Sequence, residues 1–192
     1  RSIAADDKIK ILFVGRLEER KGIQYLVDAI PKVMAECPQA SFIIIGDDTI
    51  NAGGGQRSVL ADLKNSLAAA ACLNNVTFIN RIPLTELPAY YRSADISVVP
   101  SLYDNSPYTC LEAMSCGLAP VSVDTCMASE IIVDNVNGFK SNDPKVLQER
   151  VRYLLAKPDE AERIGRAARE TILKRFNLDR FVSQWDQVFD MA

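Results

Sequence analysis

Apolar residues run almost without a break through residues 8–15, where Ile9, Ile11, Leu12, Phe13 and Val14 crowd together. A strand alternates apolar and polar positions only when one of its faces is wet. This run therefore predicts a strand buried on both faces, inside a parallel sheet. Similar runs recur at residues 40–45, 75–79, 95–100 and 119–123, with a short one at 138–140. Between them the apolar spacing lengthens to three or four. Ile23, Leu26, Val27, Ile30, Val33 and Met34 predict a helix over residues 23–37, with Pro31 as a kink and Pro38 as its stop. Further helices are expected over residues 57–71, 84–93, 106–116 and 129–132. From residue 143 the chain turns helical and charged, with amphipathic helices over 144–157, 159–176 and 178–191. The last carries Phe181, Trp185, Val188 and Phe189 as one stripe, which is core or docking surface. Residues 1–8 are polar and read as a frayed start.

Strands that alternate with helices predict an α/β fold. The expected form is a Rossmann-like, doubly wound parallel sheet of about six strands with helices on both faces and a helical C-terminal segment. Residues 1–192 read as a single domain, with no repeat, linker or low-complexity tract. Ligands of such sheets bind beyond the carboxyl ends of the strands. The segments that follow the predicted strands are residues 15–16, 46–47, 80–81, 101–107 and 124–129, so five separated loops are expected to meet in one crevice.

Composition narrows the function. A hydrophobic content of 48% and a charged content of 24% are those of a globular domain. The net charge of −3 gives no footprint for nucleic acid. No apolar run approaches the ~20 residues that span a bilayer, and no secretory leader is recognisable. The chain has no histidine, which removes Ser-His and Cys-His nucleophile pairs from this chain. Its five cysteines are scattered without a C-x2-C pair, so they read as small buried hydrophobes in a reducing cytosol rather than zinc ligands. Gly53, Gly54 and Gly55 lack the strand, loop and Lys-Ser/Thr order of a phosphate loop and read as a surface loop.

The stretch over residues 100–117 carries the densest chemistry. A strand runs into a polar loop and then a short helix, with Ser106 as N-cap, Pro107 at the first helical position and Gly117 just past the end. The helix start is expected to present free N–H groups from Tyr108, Thr109 and Cys110 to a phosphate or a sugar oxygen. Asp104 before the helix and Glu112 within it would accept from hydroxyls. Donors for phosphate and acceptors for hydroxyls together suit a nucleotide sugar. Arg16 and Lys21, after the first strand, could grip a diphosphate, or could be solvated cations among Glu18, Glu19 and Arg20.

D-x7-E at 104–112, followed by A-M-x-C-G, resembles the acidic motif of retaining GT-B glycosyltransferases of the group 1, or family 4, type. The resemblance continues in G-R-L-x3-K-G at 15–22, I-I-I-G-D at 43–47, V-x-F-x4-P at 76–83, Tyr91-x2-Ala94-Asp95 and N-G-F at 137–139. The order of these pieces is that of the family's C-terminal, donor-binding domain, one half of a GT-B fold.

The resemblance implies roles. Arg16 and Lys21 hold the donor diphosphate. Asp104, where the family normally has Glu, meets hydroxyls of the transferred sugar, and with Arg16 and Lys21 forms the catalytic set. Glu112 accepts from the ribose. Gly15, Gly46, Asn105, Ser106, Pro107, Tyr108 and Thr109 approach sugar and phosphates, and Arg81 and Ile82 cradle the base. Cys126 and Met127 stand where the family often has Gly-Gly, which alters that loop. No metal or other cofactor is implied. The partners implied are a nucleotide sugar and an N-terminal acceptor domain absent from this chain, and a membrane-linked acceptor is compatible; nucleic acid is not among them. The setting implied is cytoplasmic, including the inner face of the membrane for the full-length enzyme. The isolated chain is expected to bind donor weakly and to transfer nothing alone. Two alternatives stay open: a non-catalytic nucleotide-sugar binding module, and a sugar-nucleotide epimerase of GT-B type. A dinucleotide-dependent dehydrogenase is disfavoured, because the first strand is followed by G-R-L-E-E-R-K-G and not G-x-G-x-x-G.

Overall fold

In the computed structural model, residues 8–50, 57–106 and 108–191 are described. The glycine-rich segment 51–56 and Pro107 lie outside the described residues.

Six parallel strands form one sheet: β1 (Ile9–Val14), β2 (Ala40–Ile45), β3 (Val76–Ile79), β4 (Ile96–Val99), β5 (Ala119–Ser122) and β6 (Phe139–Lys140). Their spatial order is β3-β2-β1-β4-β5-β6. The chain first winds outward from β1 to one edge, then returns and winds outward from β4 to the other. The order therefore reverses between β1 and β4, and a crevice opens there beyond the strand ends.

Side chains of β1 alternate between two cores, as successive residues of a strand must. Ile11 and Phe13 face one side, with Phe42 and Ile44 of β2, under α1 (Ile23–Glu36), α2 (Val59–Ala69) and α6 (Pro144–Ala156). Leu12 faces the other, with Ile43 and Ile45, under α3 (Leu87–Ser93) and α4 (Tyr108–Ser115). A third cluster joins α4 to α5 (Cys126–Ile131) and α7 (Pro158–Arg175). Burying each large apolar side chain contributes about 1.5–3 kcal/mol, so near-continuous apolar strands are what this architecture requires. The helix α1 runs unbroken through Pro31.

The differences from the sequence reading lie at element ends and in the turns. Residues 19–21, read as turn, form a single 3-10 turn. The helix α5 begins at Cys126, three residues before the expected start at residue 129. Gly117 has φ of 81°, the left-handed conformation expected of a residue closing α4. Cys37, Cys72 and Cys110 are buried, and burial pushes the Cys110 thiol up to about 12, which keeps it protonated and unreactive.

The helix α8 (Leu178–Asp190) is capped by Asn177, whose side chain accepts from Arg180 N–H at 2.8 Å. None of its residues is buried, and Trp185 stands between Phe181 and Phe189 with ring centroids 6.3 and 5.7 Å away. A helix of this length is marginal in water without packing. Its amides are therefore expected to exchange with solvent at least 100-fold faster than those of β1 and β2 in this chain, by hydrogen-exchange mass spectrometry. Equal protection would show that the stripe is already covered.

Candidate functional site

The reversal between β1 and β4 brings two predicted site residues into contact. Lys21 Nζ donates to Asp104 Oδ2 across 83 positions of sequence. Both side chains are largely withdrawn from water, at 18% and 14% exposure. The two loops are stitched at other points as well. Leu102 N–H donates to the Arg20 carbonyl at 2.9 Å, and Arg20 donates through its guanidinium to the Tyr103 carbonyl at 3.2 Å. Arg20 is in turn held by Glu18 Oε1 at 2.7 Å. Gly22 makes this approach possible: a Cβ there would sit 1.9 Å from the Pro100 carbonyl oxygen. From the sequence Arg20 is only a neighbouring charge, because its partner is a backbone carbonyl that no side-chain motif reports.

Arg16 lies on the same turn but is more open, at 57% side-chain exposure, with Glu18 Oε1 at 3.2 Å. That exposed pair holds the guanidinium weakly and leaves it available.

Gly15 and Gly46 serve the backbone. Gly15 N–H donates to Ile45 at 2.9 Å and Gly46 N–H to Ile79 at 3.0 Å, extending the ladder beyond the named strands. A Cβ on Gly46 would meet the Gly15 carbonyl oxygen at 1.8 Å. These N–H groups are engaged, so what the two positions offer the crevice is the closeness of their backbones.

At the start of α4 the expectation needs correction. Tyr108 N–H is not free, because it donates to the Ser106 carbonyl at 2.8 Å. The Ser106 hydroxyl points to Met127 Sδ at 3.9 Å, tying this loop to α5. Among the described residues no carbonyl accepts from Thr109 N–H. Asn105 and the Tyr108 ring are exposed, and Pro107 lies outside the described residues.

Glu112, on the second turn of α4, is half-buried. Its side-chain partner comes from α3: the Tyr91 hydroxyl donates to Glu112 Oε2 at 2.9 Å. In the sequence Tyr91 is legible only as part of a motif, since its partner lies 21 positions away on another helix. Arg81 and Ile82 follow β3, two strands away from β1, with Arg81 exposed and Ile82 packed on the α3 and α4 side. On the other flank Lys140 donates to the Ser129 carbonyl at 2.7 Å and approaches Asp124 Oδ1 at 3.4 Å. Among the described residues no group of three His, Cys, Asp or Glu side chains is placed to hold a metal ion, and no helix is long and apolar enough to cross a membrane.

Known proteins resemble this chain in sequence and in fold. An uncharacterized glycosyltransferase of Methanocaldococcus jannaschii is 32% identical over all of this chain and 47% of its own length. A glycogen synthase of Mycobacterium tuberculosis is 28% identical over 94% of the chain and 42% of its own length. Among solved structures, a sucrose-phosphate synthase from Thermosynechococcus elongatus superposes with a TM-score of 0.82 at 27% identity, covering 96% of this chain and 45% of that one. Anabaena HepE, solved with UDP and glucose, has a TM-score of 0.83 at 20% identity, covering 97% of this chain and 49% of that one, a likeness of fold. The chain thus spans about half the length of the curated relatives it matches. The family described as "Glycosyl transferases group 1" matches residues 1–171, which take in all six strands and the loops at their carboxyl ends; the chain belongs to that family.

Proposed function

We propose that residues 1–192 form the donor-binding half of a retaining GT-B glycosyltransferase, which takes its sugar from a nucleoside diphosphate. The observation that carries the reading is the contact between Lys21 and Asp104 at the reversal of strand order. A cation for phosphate and a carboxylate for sugar hydroxyls stand side by side where a doubly wound sheet binds its ligands. In the proposed reaction the bond between the anomeric carbon and the diphosphate oxygen breaks, and its electron pair leaves with the diphosphate. The acceptor hydroxyl oxygen bonds to the same face of the sugar, and the leaving diphosphate takes up the hydroxyl proton. Lys21 and the open Arg16 guanidinium stabilise the charge that grows on the diphosphate. Asp104 orients the sugar, Glu112 the ribose, and Arg81 and Ile82 approach the base. None of these steps calls on a metal ion.

The acceptor is assigned to an N-terminal domain outside this chain, and the apolar face of α8 would meet it. Donor binding is therefore expected here without transfer; sugar transfer by the pure chain would count against that division of labour.

Thermal unfolding tests the pocket. UDP, GDP and ADP, each free and carrying common sugars, are added at millimolar concentration. UDP is included because HepE, which shares the fold, was solved with it. A ligand at 100 times its Kd adds ~2.7 kcal/mol, or about 5–10 °C for a domain of this size. The rise is expected with one base and is expected to shrink in Glu112→Ala and Arg16→Ala. No rise with any of the three would remove the nucleotide pocket from this chain.

A further inference from the structure

Tyr91 belongs to the apolar cluster between the sheet and α3 and α4, at 1% exposure, packed with Leu12, Ile43, Ala113 and Leu118. A phenylalanine would fill that space equally well. The hydroxyl is what distinguishes tyrosine there, and it reaches Glu112 Oε2 at 2.9 Å, with the Thr109 carbonyl oxygen at 3.4 Å. A buried tyrosine needs a partner for its O–H, and a backbone carbonyl would suffice. This one gives its shorter hydrogen bond to the family's second acidic residue.

We propose that Tyr91 is a positioning residue, whose hydroxyl pins one carboxylate oxygen of Glu112 and so aims the other at the ribose hydroxyls of the nucleotide. The proposal rests on the ribose-accepting role proposed for Glu112. A free glutamate side chain samples several rotamers, and binding would have to select one of them. With Oε2 held from below by a fully packed ring, the selection is made before the nucleotide arrives, which is preorganisation. Burial, and then the neighbouring Glu112 carboxylate, push ionisation of the phenol far above its ordinary range. The hydroxyl therefore stays a donor at any working pH. Tyr91 touches no ligand in this scheme; it acts through Glu112.

The test is Tyr91→Phe, which removes one oxygen and keeps the ring. Calorimetric titrations of this chain use UDP, GDP and ADP, each beside its 2′,3′-dideoxyribose counterpart. For the base that binds, Tyr91→Phe is expected to weaken the ordinary diphosphate about three- to tenfold, the range of one lost hydrogen bond. The dideoxy form, with no hydroxyls for Glu112, should weaken less than about twofold. In a Glu112→Ala background, Tyr91→Phe should change neither affinity, and this pair of variants serves if Tyr91→Phe alone does not fold. A merely structural tyrosine would shift both forms equally. Equal shifts, no shift, or a further loss in the Glu112→Ala background would overturn the positioning role and leave the nucleotide pocket standing. If the unmodified chain binds none of the three diphosphates, the ribose reading itself falls and takes this role with it.

Discussion

Gly22→Ala is expected to lower the midpoint of thermal unfolding by about 5–15 °C, while Gly15→Ala moves it far less. Gly22 has φ of 67°, and the Cβ of an alanine would lie 1.9 Å from the Pro100 carbonyl oxygen. Two costs add. The left-handed conformation disfavours alanine by about 1 kcal/mol, and overpacking against backbone adds about 1–3 kcal/mol. The clash cannot be relieved by a rotamer, since it is with backbone: Pro100 directly follows β4 and Gly22 caps α1. Either α1 tilts away from the sheet or the loop bearing Asp104 moves. Gly15, in contrast, would bring a Cβ 3.3 Å from the Phe13 ring, which can shift by a few tenths of an ångström. Scanning calorimetry of both variants decides it. A Gly22→Ala protein that melts within about 2 °C of the parent would mean the two loops are not pressed together in solution.

Lys21→Met is expected to weaken nucleoside-diphosphate binding at least about tenfold and also to destabilise the chain by about 1–3 kcal/mol. The two effects separate in a double variant. The stability loss arises because Asp104, at 14% exposure, is left with its carboxylate unpaired and out of water. Adding Asp104→Asn removes that stranded charge and should restore most of the stability. It should restore none of the diphosphate affinity, because the cation is still missing. Denaturant unfolding and calorimetric titration of the single and double variants read the two quantities independently. Recovery of affinity in Lys21→Met/Asp104→Asn would refute a phosphate role for Lys21. Under the proposed function, an incoming diphosphate would compete with Asp104 for Lys21, and a carboxylate released in this way would meet the sugar. Arg16 needs no such release, since its contact with Glu18 is exposed and contributes little.

The strands and helices could be read from the chain because their apolar periods are long and unmixed. Ile9–Val14 and Ala40–Ile45 are buried parallel strands whose side chains must be apolar on both faces, and α1 repeats its apolar positions over 14 residues. Gly117 was legible for the same local reason, since a helix end needs the left-handed conformation. The family pieces, D-x7-E and G-R-L-x3-K-G, name the loops and the residue types that the proposed site draws on. What each of those residues touches was decided only in three dimensions. Local pattern could not say that Lys21 and Asp104 are partners, because the contact spans the reversal between β1 and β4. Nor could it say that Arg20 holds the Tyr103 carbonyl, that Tyr108 has already given its N–H to Ser106, or that Glu112 is held by a tyrosine from another helix. Hydrophobic burial is written into composition and period, so a sequence carries it in every window. A hydrogen bond depends on distance and direction between groups remote along the chain, so it exists only once the sheet has ordered its strands.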